Sequence, residues 1–322
     1  MIKFILLVLI LIVVGYLYEE YKRKDKNDQR RQEQDLISQF LLNEGNPSDF
    51  FKDNKKPILW IPLEYTINAR NWPSFYSRNT YDLNQQYILL CIQTIVNNCS
   101  DSFKIALIDD SSYQKLVPGC QALTTMPEPV KTTARSIAQA KLLYYFGGMI
   151  VPPSFICHKN LIDMYNSGVQ DKGVFVVDGR NKNITADLSL TLPNSRFMGS
   201  VKQNPIIKDM ILYVDGQIKR DYTDTIVFLG QVDRWCYKQV LEENMSLVSS
   251  NKIGVTDANN NLVAIESLMG EDYINFSDDY VGILLPQEEI LNRTSYGFFP
   301  RLSYEQIAKS NIITCKHLLT NL

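Results

Sequence analysis

Histidine is almost missing from this chain, with His158 and His317 the two copies in 322 residues. Two imidazoles cannot build a three-histidine zinc site or an HExxH metalloprotease helix. Net charge is nearly missing as well, at 33 Lys+Arg against 35 Asp+Glu. No general attraction therefore draws the chain to nucleic acid, and no basic block stands beside a nucleic-acid motif. Neither GxGxxG nor GxxxxGK followed by Ser or Thr occurs, so dinucleotide and P-loop chemistry lack their usual sequence support. Ser-His-Asp catalysis has no GxSxG elbow. The six cysteines, at 91, 99, 120, 157, 236 and 315, include no CxxC pair and fit free thiols in a reducing compartment. What is plentiful is apolar and aromatic: the chain is 45% hydrophobic, with 18 Tyr and 14 Phe, the composition of an ordered globular body.

The first segment stands apart from that body. Phe4 to Val14 is an unbroken apolar run continued by Gly15, Tyr16, Leu17 and Tyr18. As a helix it spans roughly 22 Å, short of a hydrocarbon core of about 30 Å, but Lys3 can snorkel and Tyr16, Tyr18 and Tyr21 suit an interface. Residues 1–18 are therefore expected to form a single-pass membrane anchor, a cleaved signal peptide being the alternative. Residues 19–54 read as a charged stalk that ends in a helical apolar spacing at Leu36, Ile37, Phe40 and Leu41 and is stopped by Asn46-Pro47-Ser48. Lys22, Arg23, Lys24, Lys26, Arg30 and Arg31 follow the apolar run, which places the body on the cytosolic side by the positive-inside rule and offers contacts to anionic headgroups. Sequons at Asn98, Asn183, Asn244, Asn275 and Asn292 point the other way.

From residue 55 strands and helices alternate. Ile58–Ile61 is a short apolar strand ended by Pro62, Tyr87–Val96 a helix, and Phe103–Ile108 a strand running into Asp109-Asp110. Thr132 or Thr133 offers an N-cap for a helix that ends at Gly147-Gly148, and Met149–Val151 follows as a buried strand stopped by Pro152-Pro153. This order predicts an α/β fold around a parallel sheet, with ligands at the carboxyl ends of the strands. Further on, Val255–Ile265 reads as a hairpin, Tyr280–Leu285 as a strand, and Ser303–Leu322 as a helix followed by a short strand. After the first strand come Arg70, Asn71, Trp72, Arg78 and Asn79, a set suited to a nucleobase, ribose or diphosphate. After the second come Asp109 and Asp110, able to hold a hard cation or a ribose hydroxyl, or simply to cap a helix. Cys157 and His158 are adjacent and so point to opposite faces of a strand. Asp278-Asp279 and Glu288-Glu289 read as loop and helix-surface charges.

Three stretches carry a family resemblance: LIDDSSYQKLVP, ARSIAQAKLLYYFGGMIV and NSRFMGSVKQNPIIKDMIL. Residues 56–215 resemble the sugar-transferase region of capsular polysaccharide synthesis proteins and DXD-type glycosyltransferases, in a form similar to members from large DNA viruses. The helix ending LLYYFGGMIV is the most specific piece, since the family pattern runs LLYxxGGxYxDxD. The resemblance implies a GT-A-like nucleotide-diphospho-sugar transferase fold over residues 55–322, with Gly147 and Gly148 turning the chain into the strand that carries the DXD aspartates.

Those aspartates are absent. Their positions hold Pro152 and Ser154, and the family's helix aspartate and arginine align with Ser136 and Gln139. Mn²⁺ or Mg²⁺ thus lacks its usual ligands. Substitutes are Arg135 for the missing cation, Asp109 and Asp110 for the carboxylates, and Asp178, before Gly179-Arg180, for a polar group facing the acceptor. The resulting expectation is a membrane-anchored glycosyltransferase-like protein acting on a nucleotide-sugar and a glycan, lipid or protein acceptor by a metal-independent site. The alternative is an inactive relative kept as a binding or structural membrane protein, for instance in a virus particle.

Overall fold

The computed structural model describes residues 13–21, 24, 40, 56–64, 85–120, 122–127, 130–181, 190–218 and 230–320. Most of the proposed anchor and nearly all of the stalk lie outside this set. Residues 13–21 are helical, with Val13, Val14, Tyr16, Leu17, Tyr18 and Tyr21 exposed. Among the described residues no helix is long and apolar enough to cross a membrane.

The body is a mixed α/β fold on a six-stranded sheet. In chain order its strands are β1 (Ile58–Pro62), β2 (Lys104–Ile108), β3 (Gly148–Ile150), β5 (Val174–Arg180), β6 (Thr191–Ser200) and β7 (Ser246–Val248). They lie in the order β2-β1-β3-β6-β5-β7. β1 pairs in parallel with β2 and β3, whereas β6 runs antiparallel to both β3 and β5. The sheet is therefore mixed rather than parallel throughout. The reason is local: the link from Arg180 to Thr191 is shorter than the dozen or more residues a parallel crossover needs, so the chain returns beside itself and the pairing is antiparallel. A second sheet of two antiparallel strands joins β4 (Phe155–Cys157) to β8 (Gly282–Leu284).

Strand alternation builds two cores. On β1, Leu59 and Ile61 face one layer and Ile58 and Trp60 the other; β5 divides Phe175 and Val177 from Val174 and Val176 in the same way. With both faces covered at 58–61 and 174–177, these stretches need apolar side chains at every position, which is why they read as continuous runs. The first layer holds α1 (Gln86–Cys99), through Ile88, Ile92 and Ile95, and α4 (Ile162–Gln170). It is completed by α8 (Gln287–Asn292), α9 (Tyr304–Lys309) and α10 (Ile313–Thr320) from the C-terminal third. The second layer holds α2 (Asp110–Leu116), α3 (Val130–Phe146), α5 (Pro205–Ile218) and α6 (Gln231–Leu241). The short helix α7 (Ile265–Leu268) sits before β8.

Three expectations need correction. α3 begins at Val130, so Thr132 and Thr133 lie inside its first turn instead of capping it. The segment 255–265 makes one isolated bridge, Thr256 to Leu262, around a turn, with no strand pair. The C-terminal segment is two helices, because Ile313, Cys315 and Leu318 are needed against the first core and helical spacing delivers them there.

Candidate functional site

The parallel strands end at one edge of the sheet, and a cleft of about 500 Å³ opens there. Pro62, Leu63 and Glu64 leave β1 into it, and Pro152, Pro153 and Ser154 leave β3 into it. Thr132, Thr133, Ser136 and Gln139 of α3 form a wall beside them. The lining continues with Arg180 at the end of β5, Leu192 to Arg196 on β6, and Gly230 to Asp233 at the start of α6. Pro286, Gln287 and Glu288, after β8, close a further side. The cleft thus sits where an α/β sheet is expected to receive a ligand.

Four positions singled out by the family resemblance meet here: Ser136, Gln139, Pro152 and Ser154 all line the cleft. They come from two elements, and the turn between them is made by Gly147 (φ +70°) and Gly148 (φ +96°). A β-carbon on Gly148 would sit 2.1 Å from the Ile58 carbonyl oxygen, so only glycine lets β3 lie against β1. Gly147 accepts a hydrogen bond from the Trp60 indole N–H at 2.9 Å. Both glycines lie at the entry of β3, the opposite end from the cleft, and their contacts are structural.

The fit to a divalent cation fails on the donor set. Pro152 has no side-chain donor. Ser154 is buried and donates its hydroxyl to the Leu285 carbonyl at 3.2 Å. The Ser136 hydroxyl donates to Thr132 O at 3.2 Å, and the Gln139 amide donates to the Tyr113 hydroxyl at 3.2 Å. Among the described residues no three His, Cys, Asp or Glu side chains gather. A hard cation such as Mg²⁺ or Mn²⁺ needs charged oxygen ligands converging on one point, and the residues at these four positions supply none.

The other sequence-derived candidates take up different positions. Asp109 is the N-cap of α2, accepting from the Ser112 N–H at 2.8 Å and the Ser112 hydroxyl at 2.6 Å in a capping box. Asp110 faces Arg135 in a two-pronged ion pair, with N–O distances of 2.7 and 2.8 Å, and Lys131 lies 3.2 Å away. Burial alone would raise the Asp110 carboxyl, but Arg135 and Lys131 outweigh it and hold the group below the usual carboxylate range. Arg135 also reaches Glu64 at 3.4 Å. Asp110 and Arg135 are therefore brought together, though by each other, and none of Asp109, Asp110 and Arg135 lines the cleft. Asp178 lies on β5 beside Thr191, its carboxyl pushed up by burial and partly drawn back by the Thr191 hydroxyl. It also stays out of the cleft, which instead receives Arg180 two residues on, at the same face of the strand. Arg70, Asn71, Trp72, Arg78 and Asn79 lie outside the described residues.

The charges that do line the cleft are Glu64, Arg180, Arg196, Asp233 and Glu288. Arg180 donates to Glu289 at 2.9 Å and to the Val263 carbonyl, and Arg196 lies 3.6 Å from Glu288. Glu288 and Glu289, read from the sequence as surface charges, thus pair with the two arginines. Asp233 accepts the Ser195 N–H at 2.9 Å. Burial raises its carboxyl, and the Ser195 hydrogen bonds and the Arg196 and Arg234 charges only partly offset this. Sequence reasoning passed over Asp233, since it sits in no motif; its one signal is its place in the first turn after Gly230, a left-handed residue at a helix start.

No family model matches this sequence, and no curated protein matches it. Among solved structures, one titled "PaToxG Glycosyltransferase" is similar over 68% of this chain and 80% of that one, with 16% sequence identity and a TM-score of 0.34. A superposition that loose carries no weight for function, which rests here on the cleft itself.

Proposed function

We propose that this chain is a glycosyltransferase-like protein that binds a nucleotide-sugar in the cleft without a divalent cation. The observation that carries the reading is the meeting of Ser136, Gln139, Pro152 and Ser154 around one open cleft at the carboxyl ends of β1 and β3. These positions were chosen on sequence resemblance alone, from a helix and from the end of the strand after it, and an accidental register would scatter them. In this reading residues 55–322 form a GT-A-like body, residues 1–18 a membrane anchor and residues 19–54 a charged stalk. Glu64, Thr132, Thr133, Gln139 and Arg196 supply hydrogen-bonding groups for the nucleotide. Sugar transfer then has to offset the diphosphate leaving group with Arg180 and Arg196 in place of a metal.

A second reading has its own support. Arg180 and Arg196 already face glutamates, and Arg135 is held by Asp110, so little positive charge is left over for a leaving group. A relative that binds the nucleotide-sugar, or an acceptor, but transfers nothing fits that balance, for example as a structural component of a virus particle. The test for both is titration of the full chain with UDP, GDP and their sugars, in Mn²⁺ and in EDTA, with release of free nucleotide followed in the same samples. Binding of equal strength in Mn²⁺ and EDTA is expected. Release of nucleotide favours transfer, binding without release favours the inactive relative, and no binding of any of them sinks the proposal.

A further inference from the structure

In the cleft, charge is distributed unevenly among the elements that line it. On the α3 side, the family's charged positions are neutral at Ser136 and Gln139, whereas the β5, β6 and α6 side carries Arg180, Arg196 and Asp233. Both arginines have a glutamate within ion-pair distance, Glu289 at 2.9 Å and Glu288 at 3.6 Å. Among the described residues Asp233 has no cation within ion-pair distance; its partner is the backbone N–H of Ser195 at 2.9 Å. That bond comes from a different element, β6, and locks the carboxylate against the cleft wall at the start of α6. A carboxylate in this setting is a poor neighbour for a diphosphate, because like charges at short range repel. It is a good neighbour for uncharged hydroxyl groups, each of which donates one hydrogen bond to a charged acceptor.

We infer that Asp233, seated by Ser195, is the group that holds the sugar hydroxyls of the bound nucleotide-sugar in this cleft. This inference rests on the nucleotide-sugar reading of the cleft. Two hydroxyls on neighbouring carbons of a hexose can both donate to one carboxylate, which fixes the ring orientation as well as adding affinity. The nucleoside then lies towards Glu64, Thr132 and Gln139, with the diphosphate between it and the sugar. The energetic consequence is specific. Asp233 contributes to the affinity for the sugar-bearing nucleotide and not to the affinity for the nucleotide alone.

The test compares UDP with UDP-glucose and GDP with GDP-mannose on the full chain, wild type and Asp233→Asn, with melting temperature checking the fold. Asp233→Asn should weaken a nucleotide-sugar at least about tenfold, the loss of a charged hydrogen bond, and leave the matching nucleotide unchanged. Equal affinities of wild type and variant for the nucleotide-sugar would overturn the inference, and so would equal losses for nucleotide and nucleotide-sugar. Asp233→Ser, which keeps a small acceptor for the Ser195 N–H, gives the same comparison if the asparagine variant does not fold. On wild-type protein, donors lacking one sugar hydroxyl should lose affinity as well, and an unchanged affinity across every deoxy donor counts against the inference without any substitution. Failure of wild type to bind any nucleotide-sugar is a different result, and it removes the functional reading itself.

Discussion

At the scale of single residues, the two histidines that are so scarce in the chain turn out to face each other. Their ring centroids are 5.1 Å apart, with Tyr280 against His158 and Phe276 against His317. Burial lowers His158 to about 4, helped by the neighbouring His317 and the Lys159 charge, and burial lowers His317 as well. Both imidazoles are thus favoured as neutral in the folded protein. The contribution is complete above the unfolded value near 6.5 and is lost as pH falls from there towards 4, because the unfolded chain takes up protons that the folded one refuses. The melting temperature should fall by several degrees between pH 7 and pH 4.5, and His158→Asn should flatten that slope. An unchanged slope in the variant would show that the acid sensitivity arises elsewhere. Asp110 acts in a separate window. Its carboxyl is held below the ordinary 3.8, so its contribution is present above that value and lost only as pH falls through its lower folded value.

The Asp110–Arg135 pair permits a second residue-scale prediction. Its side chains are 17% and 10% exposed, so removing one partner leaves a charge with little water to replace it. Arg135→Ala should cost about 3 kcal/mol in denaturant unfolding. Nucleotide-sugar affinity of the folded variant should not change, since Arg135 clamps α3 to α2 and Glu64 and does not line the cleft. A variant of wild-type stability that loses binding would return Arg135 to the ligand.

At the scale of elements, glycine conformation separates turns that must be built one way from turns with freedom. Gly148 and Gly119 both have positive φ, at +96° and +69°. A β-carbon on Gly148 would meet the Ile58 carbonyl oxygen at 2.1 Å, whereas on Gly119 it would find nothing within 4 Å. Gly148→Ala should therefore cost more than about 4 kcal/mol or prevent folding, because β3 could no longer pair with β1. Gly119→Ala should cost about 1 kcal/mol, the strain of a left-handed alanine alone. Equilibrium unfolding of the two variants checks the contrast, and similar losses would contradict the close packing of β3.

The same glycine pair explains what could be read in advance. The run LLYYFGGMIV revealed its helix, its turn and its buried strand, since apolar periodicity and a Gly-Gly stop are local signals. The β1, α1 and β2 elements were legible for the same reason. The direction of β6 was not, since strand pairing is decided by neighbours distant in sequence. Nor was the partner of Asp110. A DD pair after a strand fits a ligand site and a helix cap equally well, and only the arrival of Arg135 from 25 residues away decides between them. Glu288 and Glu289 were hidden likewise, because nothing near them in sequence announces the arginines they meet.

At the scale of the whole molecule, the C-terminal third determines what the cleft can be. β8 pairs with β4 directly after the turn 152–154, the Leu285 N–H donates to Ser154 O at 3.1 Å, and the Ser154 hydroxyl returns a bond to Leu285 O at 3.2 Å. The turn 152–154 is thus stitched from both sides to a segment more than a hundred residues away, and Ser154 is only 4% exposed. Placing aspartates at 152 and 154 is then more than a matter of two substitutions. An aspartate at 154 would point a charge at the Leu285 carbonyl oxygen, where the serine now donates a proton, and burial would deny it water. Ser154→Asp should cost about 3 kcal/mol. Pro152→Asp combined with Ser154→Asp should gain no Mn²⁺ affinity, since the second carboxylate must either break the β4–β8 junction or stay protonated. Calorimetric melting and Mn²⁺ titration by electron paramagnetic resonance measure both effects on one sample. If the double variant keeps the wild-type melting temperature and binds Mn²⁺ at micromolar concentration, the junction does not constrain the site and the cleft is one step from a metal-dependent one. If it melts early and leaves Mn²⁺ free, the β4–β8 junction is what keeps a metal from the turn 152–154.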